Sequence, residues 1–336
     1  MTQPPRPIAS SRRALVAAAP LLAATCLRPL SGLAQPPPWP DRRVRMLAPA
    51  APGSSLDLVA RAVAQALAAR WGQPVIVEGR PGADGIPAME AVLAAPPGDA
   101  LLLANHGVVT VTPILHPRLA FDPMTTFPPI LDITADQFGV AVANDLPVRD
   151  LAALVAHAGA NPGALNFTSP PGPPYLAMRA FMRDAGVQAT FVGYRGVGAA
   201  TAGEMLAGRL HAMMTPLAPI VGLAREGKLR VIAVTGAVRA PVLPDVPTSA
   251  EQGFPAFRQE GIHGLFGWPG MQDRQRARIA ADLGAVLADG ALAERLRAAG
   301  LLLRPGATTQ GFAATLVEQR ARWASLAQEF GAAPPS

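Results

Sequence analysis

Cysteine is almost absent: Cys26 is the only one in 336 residues, which excludes a disulfide framework and any cluster of thiolate metal ligands. Aromatic residues supply 5% of the chain and charged residues 15%. Lys228 is the one lysine after residue 34, and the arginines there are scattered rather than clustered. A nucleic-acid binder needs several phosphate contacts on one face, or aromatic platforms for stacking. Neither pattern exists, so no nucleic acid is expected as a partner. The apolar run Ala14–Leu27 stops at 14 residues and contains Pro20, short of the roughly 20 residues a membrane-spanning helix takes. What the chain does have is apolar mass: 50% of its residues are hydrophobic, with 32 glycines and 37 prolines. That composition excludes disorder, and a length near twice the usual ~150 residues per domain predicts two domains.

Residues 1–34 contain Arg6, Arg12, Arg13 and Arg28 and no acid, so removing them leaves +2 of the formal +6 charge. Ser11-Arg12-Arg13 ahead of a short apolar stretch, with small residues up to Ala34, reads as a secretory signal of the twin-arginine type. Cys26 follows Thr25, a poor match to the small residue that lipoprotein processing prefers. The mature chain is expected to begin near Gln35 and to lie in the periplasm.

Beyond Pro36-Pro37-Pro38 strands and helices alternate. Val44 to Ala48 reads as a strand, and Leu56, Val59, Val63 and Leu67 then recur at helical spacing, with Ser54 or Ser55 available as N-cap. Val75-Ile76-Val77 and Leu101 to Ala104 read as further strands, separated by a short helix ending at Ala95. This βαβαβ order predicts a parallel sheet with ligands at the carboxyl ends of its strands. Leu165 to Thr168, Thr190 to Val192, Leu210 to Met214 and Leu229 to Thr235 repeat the pattern. Two amphipathic helices, about 272–289 and 308–329, close the chain.

Catalytic motifs are weak or missing. There is no G-x-S-x-G elbow, P-loop or H-E-x-x-H. Gly196-Val197-Gly198 resembles half of a dinucleotide fingerprint, without its third glycine or its acidic ribose ligand. His106, His116, His157, His211 and His263 show no metal-ligand spacing. A triad of Ser54 or Ser55 with Asp57 and His106 is conceivable, but Asp57 stands in the first turn of a helix, where capping is the ordinary role. No enzyme activity, cofactor or metal is expected.

Several stretches, taken in order, resemble the Bug family, the periplasmic solute receptors of tripartite tricarboxylate transporters. They are Trp39-Pro40 through Pro52-Gly53 with Asp57, Gly72-Gln73-Pro74-Val75, Arg80-Pro81-Gly82-Ala83, Phe121-Asp122-Pro123 and Asn161-Pro162-Gly163. Tyr194-Arg195-Gly196, Gly227 to Thr235, Leu243 to Thr248 and Gly264-Leu265-Phe266 complete the series. The resemblance implies an α/β type II periplasmic binding protein, a Venus flytrap whose lobes are mostly parallel sheets flanked by helices. Residues 35–141 with 264–336 are expected as one lobe and 142–263 as the other. A monomer is expected, delivering a small carboxylate to membrane transporter subunits. A co-receptor for a sensor kinase uses the same fold, and a secreted hydrolase is the remaining rival.

The resemblance also carries over ligand-binding positions. In the first lobe these are Gly53, Ser54, Ser55 and Asp57, then Gly82, Ala83, Asp84 and Gly85. In the second they are Thr168, Ser169, Tyr194, Arg195, Gly196 and Thr215. Asp57 is either a cap or a direct contact. Asp84, where the family has glycine, either faces the anion site or turns to solvent. Thr215 stands where an aspartate is common. Both first-lobe loops join a strand to a helix start, where backbone N–H groups and the dipole attract anions. The second lobe trades polar groups for Pro170, Pro171, Pro173, Pro174 and Tyr175. Proline offers no N–H, so a carboxylate with an apolar or aromatic far end is expected over citrate or an amino acid. Arg195 is the objection, because a guanidinium clamps a second carboxylate bidentately.

Overall fold

The computed structural model describes residues 1–3, 39–194, 199–304 and 306–331. The chain divides into Met1–Pro38 and Trp39–Ser336, and the second unit holds the fold described below. Apart from Met1, Thr2 and Gln3, the expected signal segment with Cys26 lies outside the described residues.

Strand β1 (Val44–Ala48) runs into helix α1 (Ser55–Trp71). Leu56, Val59, Ala60, Val63, Ala64 and Leu67 are buried along one stripe of α1, and that periodicity selects a helix packed on a sheet. Ser54 caps it by accepting the Asp57 N–H at 3.3 Å. Gly72, at φ 64°, ends it in the left-handed conformation that glycine adopts without penalty. Then follow β2 (Val75–Gly79), α2 (Ile86–Leu93), β3 (Ala100–Asn105) and three short helices, α3 (His106–Thr110), α4 (Thr112–Leu115) and α5 (Pro123–Thr126). β1 pairs in parallel with β2 and β3, Val44 opposite Val75 and Met46 opposite Leu101.

The next strand, β4 (Pro129–Val142), is 14 residues long and buried at every position after Pro129. The remaining elements are α6 (Leu151–Ala160), β5 (Leu165–Thr168), α7 (Pro173–Asp184), β6 (Ala189–Phe191), α8 (Ala199–Leu206), β7 (Ala212–Pro216), α9 (Val221–Arg225) and β8 (Arg230–Val234). After them come β9 (Glu260–Phe266), α10 (Asp273–Leu287), α11 (Gly290–Ala298), β10 (Leu301–Leu303) and α12 (Thr309–Phe330). β4 serves two sheets. Its first part pairs antiparallel with β9 and β10, and β9 pairs antiparallel with β3. Its last part, from Phe138 on, pairs antiparallel with β7 and β8. Beyond it β7, β5 and β6 run parallel. Parallel pairing is therefore confined to β2-β1-β3 on one side and β7-β5-β6 on the other, and every strand that pairs with β4 is antiparallel to it.

Each sheet has its own core. Met46, Leu67, Leu101, Ile133 and Phe266 pack around the first; Phe167, Tyr175, Phe181 and Met214 fill one face of the second, and Met205, Met213 and Leu217 the other. Fully burying one such side chain stabilises by ~1.5–3 kcal/mol. Helix α12 joins the two cores: Phe312 and Leu316 pack in the first core, Trp323 and Ala327 in the second. The sequence reading missed β4, α6, α11 and β10, and read 272–289 as the one helix between Gly267 and the last.

Candidate functional site

The first loop after β1 is held from within. The Asp57 carboxylate is buried and accepts the Gly53 N–H at 3.0 Å and the Arg61 Nε–H at 3.0 Å. The Arg61 hydrogen bond, reinforced by the Gly53 N–H, keeps the Asp57 acid below the ordinary carboxylate range against the opposing effect of burial. Asp57 thus spends its oxygens fixing the loop. Ser54 and Ser55 remain at its tip, and Ser55 Oγ donates to Asp136 Oδ2 at 2.8 Å.

The second loop is strained. Gly82, Ala83, Asp84 and Gly85 all have positive φ, at 99°, 42°, 51° and 87°, and each non-glycine residue held there costs about 1–3 kcal/mol. External contacts hold the turn: Thr112 Oγ1 donates to the Asp84 carbonyl at 2.8 Å, and Asp84 Oδ2 lies 2.7 Å from His116 Nε2. The Asp84 carboxylate therefore faces His116, neither free in solvent nor unpaired beside an anion.

Three adjoining cavities run along the crevice. The central one, about 280 Å³, has Ser54, Ser55, Asn105, His106, Asp136 and His263 on one side. Phe138, Pro216 and the prolines 170, 171, 173 and 174 complete its walls. A neighbour of about 320 Å³ sets Gly82 to Gly85 against Pro171, Gly172 and Pro173. The third, about 540 Å³, sets Gly53, Ser54 and Ser55 against Pro216, Pro219 and Gly222. Together they offer the size and mixed lining of a small-molecule site.

The central cavity is floored by buried titratable groups without a cation among the described lining residues. Burial pushes the Asp136 acid up to about 7, with the Ser55 hydroxyl opposing. Burial pushes His106 down to about 4 and His263 down to about 3, so both rings are neutral near pH 7. The Ile262 N–H donates to His106 Nδ1 at 3.1 Å, and Thr134 Oγ1 lies 3.0 Å from His263 Nδ1.

The structure thus brings Gly53, Ser54, Ser55 and Gly82 to Gly85 onto the crevice. It leaves others off the cavity walls. Thr168 and Ser169 are buried with unpartnered hydroxyls behind the proline segment, and Thr215 is buried in β7 opposite Gly139. The Tyr194 phenol bonds to Glu204, which also pairs with Arg209. Arg195 and Gly196, like the Gly196-Val197-Gly198 stretch, lie outside the described residues. The conceivable triad does not form, because Ser55 bonds to Asp136 and the His106 Nδ1 atom is taken by a backbone N–H. Sequence reasoning missed Asp136 and dismissed His106 and His263. The one signal available was acidic and amide residues inside a long apolar run, Pro129–Val142.

An α/β unit with two sheets sharing a long strand, and a crevice entered by helix starts and turns, fits a solute-binding receptor. The chain belongs to the tripartite tricarboxylate transporter family receptors (TctC), whose family model matches residues 59–332. It is 30% identical over 302 residues to a UPF0065 protein of Bordetella bronchiseptica, covering 88% of each chain. Among solved structures it is similar to R. palustris Rpa4515 with adipate, at TM-score 0.77 and 26% identity, covering 89% of this chain and 100% of that one. It is also similar to MatC from Rhodopseudomonas palustris with bound malate, at TM-score 0.73 and 28% identity, covering 85% and 99%.

Proposed function

We propose that this chain is an exported periplasmic receptor that closes two lobes on a small carboxylate and passes it to the membrane subunits of a tripartite tricarboxylate-type transporter. The lobes are 35–141 with 264–336, and 142–263, hinged where β4 passes from one sheet to the other. The observation that carries the reading is the crevice itself: the α1 start and the 82–85 turn line one side, the proline segment and Pro216 the other. One helix start supplies only ~0.3–2 kcal/mol toward an anion, whereas micromolar binding takes roughly 8 kcal/mol. Donors on one wall and packing on the other must act together. The bound acids of the two similar structures, malate and adipate, support a carboxylate. The proline wall and Phe138 support an apolar far end, which gains about 25 cal/mol for each Å² removed from water.

Native mass spectrometry of the purified chain reads any co-purified acid by mass, and a thermal-shift panel ranks candidates. Benzoate is expected to raise the melting temperature more than citrate or glutamate; stabilisation by citrate or glutamate alone contradicts the reading. Export through the twin-arginine route is tested by replacing Arg12 and Arg13 with lysine. The precursor is then expected to stay inside the cell, and normal export removes that part of the proposal.

A further inference from the structure

Two polar groups on the cleft floor are buried without a partner. His106 is 2% exposed and Asp136 3%, and both His106 Nε2 and Asp136 Oδ1 lack a hydrogen-bond partner in the protein. Both residues line the central cavity. Strand register sets them side by side: Asp136 stands opposite Gly261 in the β4–β9 ladder, and His106 binds the N–H of the next residue, Ile262. A Cβ at position 261 would meet the Asp136 Cβ at 3.2 Å and the Phe138 ring at 3.2 Å, so glycine there leaves the acid uncrowded.

We propose that Asp136 and His106, beside Ser55, form a cation-free seat for the ligand's carboxylate, and that binding there is linked to one proton. The inference rests on the carboxylate reading above. A backbone N–H can only donate, so His106 Nδ1 accepts and the ring proton sits on Nε2, a fixed donor. Ser55 donates to Asp136 Oδ2, which leaves Oδ1 to carry the proton of the acid form and to serve as the second donor. The two oxygens of a carboxylate accept both. An ionised Asp136 would instead set two anions in contact in a dry cavity, which neither tolerates. Above the range where Asp136 is already an acid, each carboxylate that binds therefore draws one proton from solvent onto Oδ1, and release returns it.

The surrounding charges leave this linkage to Asp136. From α1, Asp57 is bound to Arg61. On β4 itself Asp132 pairs with Arg304, and on β9 Glu260 lies near Arg258. His263 on β9 is neutral near pH 7. Asp273 and Asp282 of α10 pair with Arg276 and Arg70. Arg322 of α12 opposes protonation of His106 and donates to the Arg258 carbonyl. β7 and β10 bring only Pro216 and Leu301.

Calorimetry on the full chain with benzoate and with adipate tests the seat, since neither acid titrates between about pH 6 and about pH 8.5. Titrations at the higher pH in two buffers of different ionisation heat are expected to show uptake of close to one proton. Affinity is expected to fall ~10-fold per pH unit above about pH 7. Asp136→Asn keeps a donor but cannot ionise; whatever its affinity at pH 6, it should lose the pH dependence and take up no proton. His106→Phe should weaken binding at pH 6 by ~10-fold or more. Binding by the parent chain with no proton uptake and no pH dependence overturns the seat, as does an Asp136→Asn profile identical to the parent's. If neither acid binds the parent at all, the carboxylate reading falls and the seat with it.

Discussion

On the side of the first sheet the central cavity presents Ser54, Ser55, Asn105, His106 and Asp136; on the side of the second it presents Pro170, Pro171, Pro173, Pro174 and Pro216. The first set donates and accepts hydrogen bonds, while the second has no N–H to give and only packs. A ligand placed between them is oriented by that difference, polar head toward the floor and carbon body toward the prolines. The two first-sheet loops differ as well. The 53–57 loop is tied by Asp57 and shows hydroxyls, whereas the 82–85 turn is held in left-handed backbone by His116 and Thr112.

The largest expected effect breaks the floor by pH. His106 and His263 are held down to about 4 and about 3, so below about 6.5 the unfolded chain binds protons that the folded chain refuses. Their contribution is present above that range and lost as pH falls, at most roughly 3–5 kcal/mol each. Asp136 has the opposite sign. Its acid is raised to about 7, so the folded chain keeps a proton the unfolded chain releases, and stability is lost as pH rises from about 4 to about 7. Two rings outweigh one acid in the overlap, which puts the maximum near pH 6.5. Urea unfolding across pH 4–8 checks it, and Asp136→Asn should flatten the fall on the alkaline side. A profile flat throughout would mean that these groups are not buried as described.

Next in size is Gly82→Pro. Proline fixes φ near −65°, and position 82 sits at 99°, so the strained turn must rebuild. Adipate affinity is expected to drop by the equivalent of roughly 1–3 kcal/mol; an unchanged calorimetric constant would remove the second loop from the binding surface.

How much of this was readable beforehand follows from where each signal resides. The β1–α1–β2–α2–β3 run was legible because its periodicity and caps are local, as in Leu56, Val59, Val63 and Leu67 behind Ser54. Strand β4 was not legible, because Asp132, Asp136 and Gln137 break its apolar pattern. Their partners, Arg304, Ser55 and the Val238 carbonyl, lie far off in sequence. For the same reason the floor of the site went unseen while its two loops were found. Tyr194 shows the converse: the residue was singled out from its motif, but Glu204, ten residues on, claims its hydroxyl.

The smallest expected effect sharpens the contrast from the second wall. Tyr194→Phe removes a hydroxyl engaged with Glu204 rather than the cavity, so ligand affinity should stay within about twofold. A tenfold loss by calorimetry would show that the second wall does supply a polar contact.

The most direct test of the orientation is a crystal structure with 4-bromobenzoate, whose bromine marks the apolar end by anomalous scattering. The account predicts the carboxylate within hydrogen-bond distance of Asp136 or His106, and the bromine against Phe138 and the 170–174 prolines. A bromine peak on the floor beside Asp136, with the carboxylate turned to the prolines, would contradict it.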